Sequence, residues 1–440
     1  MKKAVLCAVL VILSCAFVLG QAQYKVLYRF LGAPSDGYAP MGNLLLDPAG
    51  NLYGTTTEGG RFDSGTIYQL SPNPDGTWAE SVLYNFCSLG SNTDCPDGLF
   101  PMAGLLRDSA GNLYGTTYAG GNQLCPYDVG GCGTVFELSP PTSTGGVWTE
   151  TVLYNFCSTQ ASGVCIDGGF PLSRLTRDGA GNLYGTTFFG GTGAIGGDSG
   201  RLGGTVFELS LNGGGWAETV LYNFCSLGQG QFCPDGEYPQ AGVTFDRSGN
   251  LYGTTSEGGD ATSVGGGTVY ELSRGTAGWT ETVIYASVSP FSYGANPLSE
   301  VTFDNAGSLY GTAAAGGPGG LSGNGSVFKL ARAGGTGRAT TFDGTDGAYP
   351  ASGVLLDAKS STLYGTTERG GTGNYGVIFK IGPHGESTTI YNFCSDPNCA
   401  DGSSPEAGLI TDKFGSIYGT AELGGQVQGG PGGVVFELTP

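Results

Sequence analysis

Charge is scarce in this 440-residue chain: only 12% of residues are Asp, Glu, Lys or Arg, and His384 is the single histidine. One histidine excludes His-rich metal centres. His384 lies in the turn Gly382-Pro383-His384-Gly385, where a solvated side chain is the plain reading. Basic residues are the scarcer charges, 18 against 37 acidic ones, for a net charge of −19. Such a surface repels phosphate backbones, so nucleic acid is not an expected partner. Paired C-x-x-C motifs are missing, which argues against a thiolate metal site, and no metal ligand set is expected. Past residue 22 no apolar run approaches the roughly 20 residues needed to span a bilayer. No segment carries a convincing 3.6-residue apolar period, so almost no helix is expected.

The start of the chain reads as an export signal. Lys2 and Lys3 are followed by the apolar stretch Ala4 to Leu19 and by small residues around Ala22, where cleavage is expected. Ile12-Leu13-Ser14-Cys15 loosely resembles a lipidation box, which Leu13 fits poorly. Residues 1–22 are thus assigned as a signal peptide and 23–440 as one domain, exported to the periplasm or the cell exterior. Losing Lys2 and Lys3 leaves 16 basic against 37 acidic residues, a net charge of −21.

What is abundant is glycine, 84 residues, together with 11% aromatics. Disordered chains lack such aromatics, so the combination points to many short strands joined by tight turns. Tyr-Gly-Thr-Thr/Ala, preceded by Leu or Ile, occurs seven times, at Tyr53, Tyr114, Tyr184, Tyr252, Tyr310, Tyr364 and Tyr418. Each repeat holds four strand-like runs, a to d; in the second they are Ala103 to Asp108, Asn112 to Thr117, Gly133 to Leu138 and Trp148 to Phe156. Asp-x-x-Gly-Asn between runs a and b is hairpin chemistry. A four-stranded unit of this size suits a propeller blade. Tyr24 to Phe30 matches run d, and Val434 to Leu438 matches run c. The first strand should therefore complete the last blade and close the ring, which removes an exposed sheet edge. The expected fold is an all-β, seven-bladed propeller of four-stranded blades.

Repeats of the form D-x-x-G-N-L-Y-G-T-T-x-x-G-G…G-T-V-F-E-L resemble the Gloeobacter/Verrucomicrobia ("GloVer") tandem repeats of exported bacterial proteins. The resemblance covers essentially all of the chain after the signal. It implies the repeat architecture and no particular biochemical activity. Such proteins commonly carry a C-terminal sorting or anchoring segment. Here Pro440 directly follows a strand, so no C-terminal anchor is expected.

Ten cysteines remain after the signal. Four pairs follow run d, Cys87-Cys95, Cys157-Cys165, Cys225-Cys233 and Cys394-Cys399, and the repeats that lack one partner lack both. Cys125-Cys132 lie in one b–c loop. Five local disulfides are expected.

The d–a loop carries Asp-Gly-x-x-Pro, with Asp36, Asp97, Asp167, Asp235, Asp346 and Asp401. Closure would set these six carboxylates in a ring on the face shared by the d–a and b–c loops. Two readings stand open: a site for Ca²⁺ or a polar ligand, and turn chemistry with Pro opening strand a. No other cofactor is expected. A second series, Asp47, Asp108, Asp178, Asp246, Asp304, Asp357 and Asp412, belongs to the a–b hairpins. Glu137, Glu208, Glu271 and Glu437 of run c alternate with Gln69, Lys329 and Lys380, which suits a half-exposed strand face. Trp78, Trp148, Trp216 and Trp279 begin run d in four successive repeats, as packing residues or as sugar platforms. No catalytic residue is assigned. The expected function is ligand or partner binding through the d–a/b–c loop face, to a polysaccharide or a cell-surface protein. Alternatives are a glycan hydrolase or lyase using carboxylates of that face, and a structural envelope protein. The repeat containing Val288 to Tyr293 is the irregular one.

Overall fold

The structure, a computed structural model, describes residues 22–439 apart from 91–93, 122–123, 127–129, 144, 194–201, 228–231, 261–264, 277, 289–290, 292–293, 332–336 and 426–431. The expected signal peptide therefore lies outside the described residues except for Ala22. Seven four-stranded antiparallel sheets form a ring. Blade 1 holds strand a (Leu45–Leu46), b (Leu52–Thr56), c (Thr66–Pro72) and d (Trp78–Asn85). Blades 2 to 7 follow around b strands Leu113–Thr117, Leu183–Thr187, Leu251–Thr255, Leu309–Ala313, Thr362–Thr367 and Ile417–Ala421. The described residues contain no α-helix, only two short 3₁₀ turns, and no helix long and apolar enough to cross a membrane.

The ring closes as expected. Strand Gln23–Arg29 pairs antiparallel with Val434–Thr439, Tyr24 opposite Leu438 and Arg29 opposite Val434, and becomes strand d of blade 7. Strand a is shorter than the sequence run: Ala103 to Asp108 reduces to Leu106–Arg107. The carbonyl of Ala103 is taken by the Thr55 hydroxyl of the preceding blade at 2.9 Å, so the upper part of the run ties blades together.

This bond explains much of the repeated tetrapeptide. The first threonine hydroxyl reaches the next blade's strand a six times: Thr55, Thr116, Thr186, Thr254, Thr312 and Thr366 bond the carbonyls of Ala103, Ser173, Ala241, Ser299, Ser352 and Ala407. The glycine before it is required by contact. A Cβ on Gly115 would lie 2.6 Å from the Phe136 ring, which lies across strand b. The leucine before the tyrosine is fully buried, as Leu52, Leu113, Leu183 and Leu251 show.

The tryptophans are wedges between blades. Trp78 packs on Tyr418 with ring centroids 6.4 Å apart. Trp148, Trp216 and Trp279 join the core clusters of Tyr53, Tyr114 and Tyr184 in the same way. Each indole thus fills the lower interface between its own blade and the one before.

All five cysteine pairs are disulfide-bonded as expected: Cys87–Cys95, Cys125–Cys132, Cys157–Cys165, Cys225–Cys233 and Cys394–Cys399. The irregular repeat replaces this staple with an apolar one. Phe291 is buried, and its carbonyl accepts the N–H groups of Gly294 and Gly317, as the carbonyl of Cys95 accepts those of Gly98 and Gly121. The adjoining Tyr293 lies outside the described residues.

Candidate functional site

The d–a and b–c loops do share one face: Tyr38 pairs with Glu58, and Leu99, Gly169, Glu237, Ala295, Ala348 and Ser403 pair with Ala119, Phe189, Glu257, Ala315, Arg369 and Leu423. The Asp-Gly-x-x-Pro carboxylates lie in these loops but turn inward. Asp36, Asp97, Asp167, Asp235 and Asp401 are all at most 3% exposed. The Asp97 Oδ2 accepts the Tyr84 hydroxyl and the Ser88 N–H, each at 2.7 Å. Tyr28, Tyr154, Tyr222 and Tyr391 bond Asp36, Asp167, Asp235 and Asp401 likewise. Asp346 departs from the set: it is half-buried, and its Oδ1 accepts the Asp343 N–H at 2.9 Å. The side chains thus pin each loop to strand d of the blade it leaves. Calorimetry with Ca²⁺ tests the cation reading; with every Oδ2 of the five buried carboxylates occupied by donors, no binding heat is expected. Heat that disappears in Asp97→Asn would reverse this.

The second Asp series makes the a–b hairpins. Oδ1 of Asp47, Asp108, Asp178 and Asp246 accepts two backbone N–H groups each, those of Ala49 and Asn51 in the first case. These bonds outweigh burial and hold the Asp47 and Asp178 carboxyls below the usual range.

The residue before each loop proline is left-handed in all seven repeats: Ala39, Phe100, Phe170, Tyr238, Asn296, Tyr349 and Ser404, at φ between 53° and 59°. For a non-glycine residue this costs on the order of 1 kcal/mol. Two backbone bonds hold it. Tyr238 donates its N–H to the Gly203 carbonyl of the preceding blade, and its own carbonyl accepts the Ser256 N–H. The same pair recurs around the ring and fixes the backbone of all seven loops on this face.

With the backbone repeated so closely, the side chains carry the asymmetry. The position after strand b is Thr57, Tyr118, Phe188, Ser256, Ala314, Glu368 and Glu422 from blade 1 to blade 7. Aromatic residues gather on blades 2 to 4. Tyr118 and Phe170 have centroids 5.1 Å apart, Phe188 and Phe189 4.3 Å, and Phe188 and Tyr238 5.3 Å. Apart from buried Phe170 these rings are half-exposed. Opposite them, blades 6, 7 and 1 bring together Glu368, Arg369, Glu406, Glu422 and Glu58. Burial, with the charges of Glu422 and Glu368, pushes the Glu406 carboxyl up to about 8, and burial and Glu368 raise Glu422 as well. On blade 4, burial and the neighbouring Glu257 and Asp235 raise Glu237 to about 7.

Deeper in the channel, Arg174 of blade 3 reaches past Gly242 of blade 4 to Glu300 of blade 5, Nη2 to Oε2 at 3.1 Å. A Cβ at Gly242 would lie 2.8 Å from Glu300. Asn43 Oδ1 accepts the Gly408 N–H at 2.6 Å.

The sequence reading missed one repeated group. Strand d carries Trp-x-Glu, and Glu80, Glu150, Glu218 and Glu281 stand opposite Leu70, Leu138, Leu209 and Leu272 of strand c. They point into the blade interfaces. Burial first, and then the charge of the loop Asp (Asp36, Asp97, Asp167 or Asp235), raises them to about 7, 8, 8 and 7. One oxygen of each glutamate is buried without a partner, as is Oδ1 of Asp97, Asp167 and Asp235. The Trp-x-Glu spacing was the available signal; only blade packing shows that this face is interior.

No curated protein matches the sequence. Among solved structures, the chain is similar to a Niastella koreensis GH74 enzyme, at 19% identity and TM-score 0.50 over 89% of this chain and 52% of that one. It is also similar to an extracellular domain assigned to a one-component system of B. thetaiotaomicron, at 8% identity and TM-score 0.51 over 94% and 39%. A Bacteroides uniformis protein assigned as a 6-phosphogluconolactonase matches at 13% identity and TM-score 0.46 over 79% and 83%. The chain thus spans about two fifths of the extracellular domain's chain and half of the GH74 chain, and at these identities the likeness is one of fold alone. The Gloeobacter/Verrucomicrobia repeat model matches residues 15–265 and 261–440, so this chain belongs to the Gloeobacter/Verrucomicrobia repeat family.

Proposed function

We propose that the protein binds a glycan across the mouth of its central channel, on the d–a/b–c face, without cleaving it. The observation that carries this reading is the broken sevenfold symmetry. Half-exposed rings cluster on blades 2 to 4, beside the Glu237 carboxyl, and a larger group of carboxyls gathers on blades 6, 7 and 1, on one repeated backbone rim. Tilted, half-exposed rings on one side and carboxyl groups on the other suit a sugar ring, whose faces are apolar and whose edge carries hydroxyls. Affinity electrophoresis against a polysaccharide panel tests it. Phe188→Ala and Tyr238→Ala should each weaken retention about tenfold, equivalent to ~1.4 kcal/mol. Retention of no polysaccharide, or retention indifferent to both variants, would sink the reading.

A second reading, glycan cleavage, is favoured by the raised Glu406 carboxyl beside Glu422. A carboxyl raised to about 8 is still protonated at neutral pH and can donate to a leaving oxygen. Product release that vanishes in Glu406→Gln while retention persists would select this reading over simple binding.

A further inference from the structure

We propose that the lower interface between blades 5 and 6 is a second ligand site, independent of the channel mouth, for a flat aromatic carboxylate. The inference starts from where tryptophan is missing. In blades 1 to 4 an indole wedges against the tyrosine of the preceding blade. Blade 6 cannot supply one. Glu80 stands opposite Leu70, with Trp78 two residues earlier, while Ser387 stands opposite Ile381, with Gly385 two residues earlier. The turn Gly382 to Gly385, closed by the Gly385 N–H on the Gly382 carbonyl, takes the indole's place without filling it.

What remains is a cavity of about 570 Å³ over Tyr310, walled by Phe328, Leu356 and Leu363. That volume lies within the ordinary range for small-molecule sites. The equivalent space at four other interfaces already holds a flat bicyclic ring, so the slot has a shape that rings fit.

Its charge is the second observation. The chain has net charge −19 and few cations, yet Lys329, Arg338 and the single histidine, His384, all line this one cavity. The only acidic lining residue is Asp304, and its charge is paired with Lys329. The Asp304 carboxylate accepts the N–H groups of Ala306 and Ser308, the Tyr310 hydroxyl, and Lys329 at 3.5 Å. Lys329 also lies 4.8 Å from the Tyr310 ring centroid. Among the described residues Arg338 and His384 have no ion-pair partner. They sit exposed at the lip, where an incoming carboxylate would meet them while its ring slid onto Tyr310. A neighbouring cavity of about 590 Å³ between blades 4 and 5 also lacks a tryptophan, but besides the Lys329-paired Asp304 it is lined by Asp246 and Glu271 against Arg247 alone, so an anion is repelled there.

Titration calorimetry on the full chain at neutral pH and low salt tests this with indole-3-acetate. Two controls are 3-methylindole, which keeps the ring and lacks the charge, and galacturonate, which keeps the carboxylate and lacks the aromatic face. Indole-3-acetate should bind with Kd of about 1 mM or tighter, with both controls about tenfold weaker. Arg338→Gln, an exposed substitution, should weaken it about tenfold. Ala339→Phe, which places a ring inside the cavity, should abolish binding. No heat from indole-3-acetate up to about 10 mM would overturn the proposal. So would equal binding of either control, or affinity unchanged in Arg338→Gln, the variant that does not disturb the core.

Discussion

Deleting residues 22–31 should leave no cooperatively folded protein, although the segment makes up only strand d of blade 7. Phe30 is fully buried, Leu27 joins the core between blades 7 and 1, and Tyr24 stacks on Tyr391 of blade 6 at 3.9 Å. Truncating one fully buried Phe typically costs about 3–5 kcal/mol, and whole domains are stable by only about 5–15 kcal/mol. Loss of the whole segment opens two interfaces and exposes the edge of Val434–Thr439. Phe30→Ala should therefore lower the urea midpoint markedly, and the deletion should lose its thermal transition or aggregate. A synthetic peptide of residues 22–31 should restore the transition. A truncated protein that melts within a few degrees of the intact one would mean that the units are held together as an open stack, not as a ring.

Stability should also fall as pH rises from about 5 to 9, unusually for an acidic protein with depressed hairpin aspartates. Glu80, Glu150, Glu218 and Glu281 have folded-state pKa values of about 7 to 8, above that of a free glutamate. Groups raised in the folded state favour folding fully below the free-glutamate pKa and lose that contribution as pH climbs through 7 to 8. The facing groups do not offset this: each glutamate looks onto a loop aspartate, a tyrosine of the preceding strand d and apolar strand c residues, and no cation lowers it. After allowance for partial solvent access, each contributes on the order of 1 kcal/mol. Asp47, Asp178 and Asp304 act oppositely. Their carboxyls are held low by hairpin hydrogen bonds that outweigh burial, so their contribution is lost only as pH falls below the ordinary aspartate range. Maximum stability should lie near pH 4 to 5. The fourfold Glu→Gln variant should melt several degrees above wild type at pH 9 and close to it at pH 5. Parallel pH profiles for the two proteins would show that these carboxyls do not titrate as described.

The seven Tyr-Gly-Thr units, the hairpin aspartates and the cysteine pairs were all legible in the sequence because each is a local device. A turn, a strand or a short disulfide is specified within some ten residues, and repetition makes it visible. The orphan first strand was legible for the same reason, as a d run without its blade. Phe291 in the place of a cysteine was not, because nothing in its side chain marks it as a staple until its carbonyl is seen bonding Gly294 and Gly317.

Sequence alone therefore determined the all-β repeat, the ring and the shared loop face. The direction of the side chains was decided only by tertiary packing. Five of the six Asp-Gly-x-x-Pro carboxylates turned inward onto tyrosines, the Trp-x-Glu glutamates entered the blade interfaces, and an aromatic cluster gathered on blades 2 to 4 across from a carboxyl cluster on blades 6, 7 and 1. The reason is physical. Backbone hydrogen bonding follows local rules that a repeat states seven times. Whether a carboxylate meets water or another blade depends on residues some sixty positions away, which only closure brings beside it.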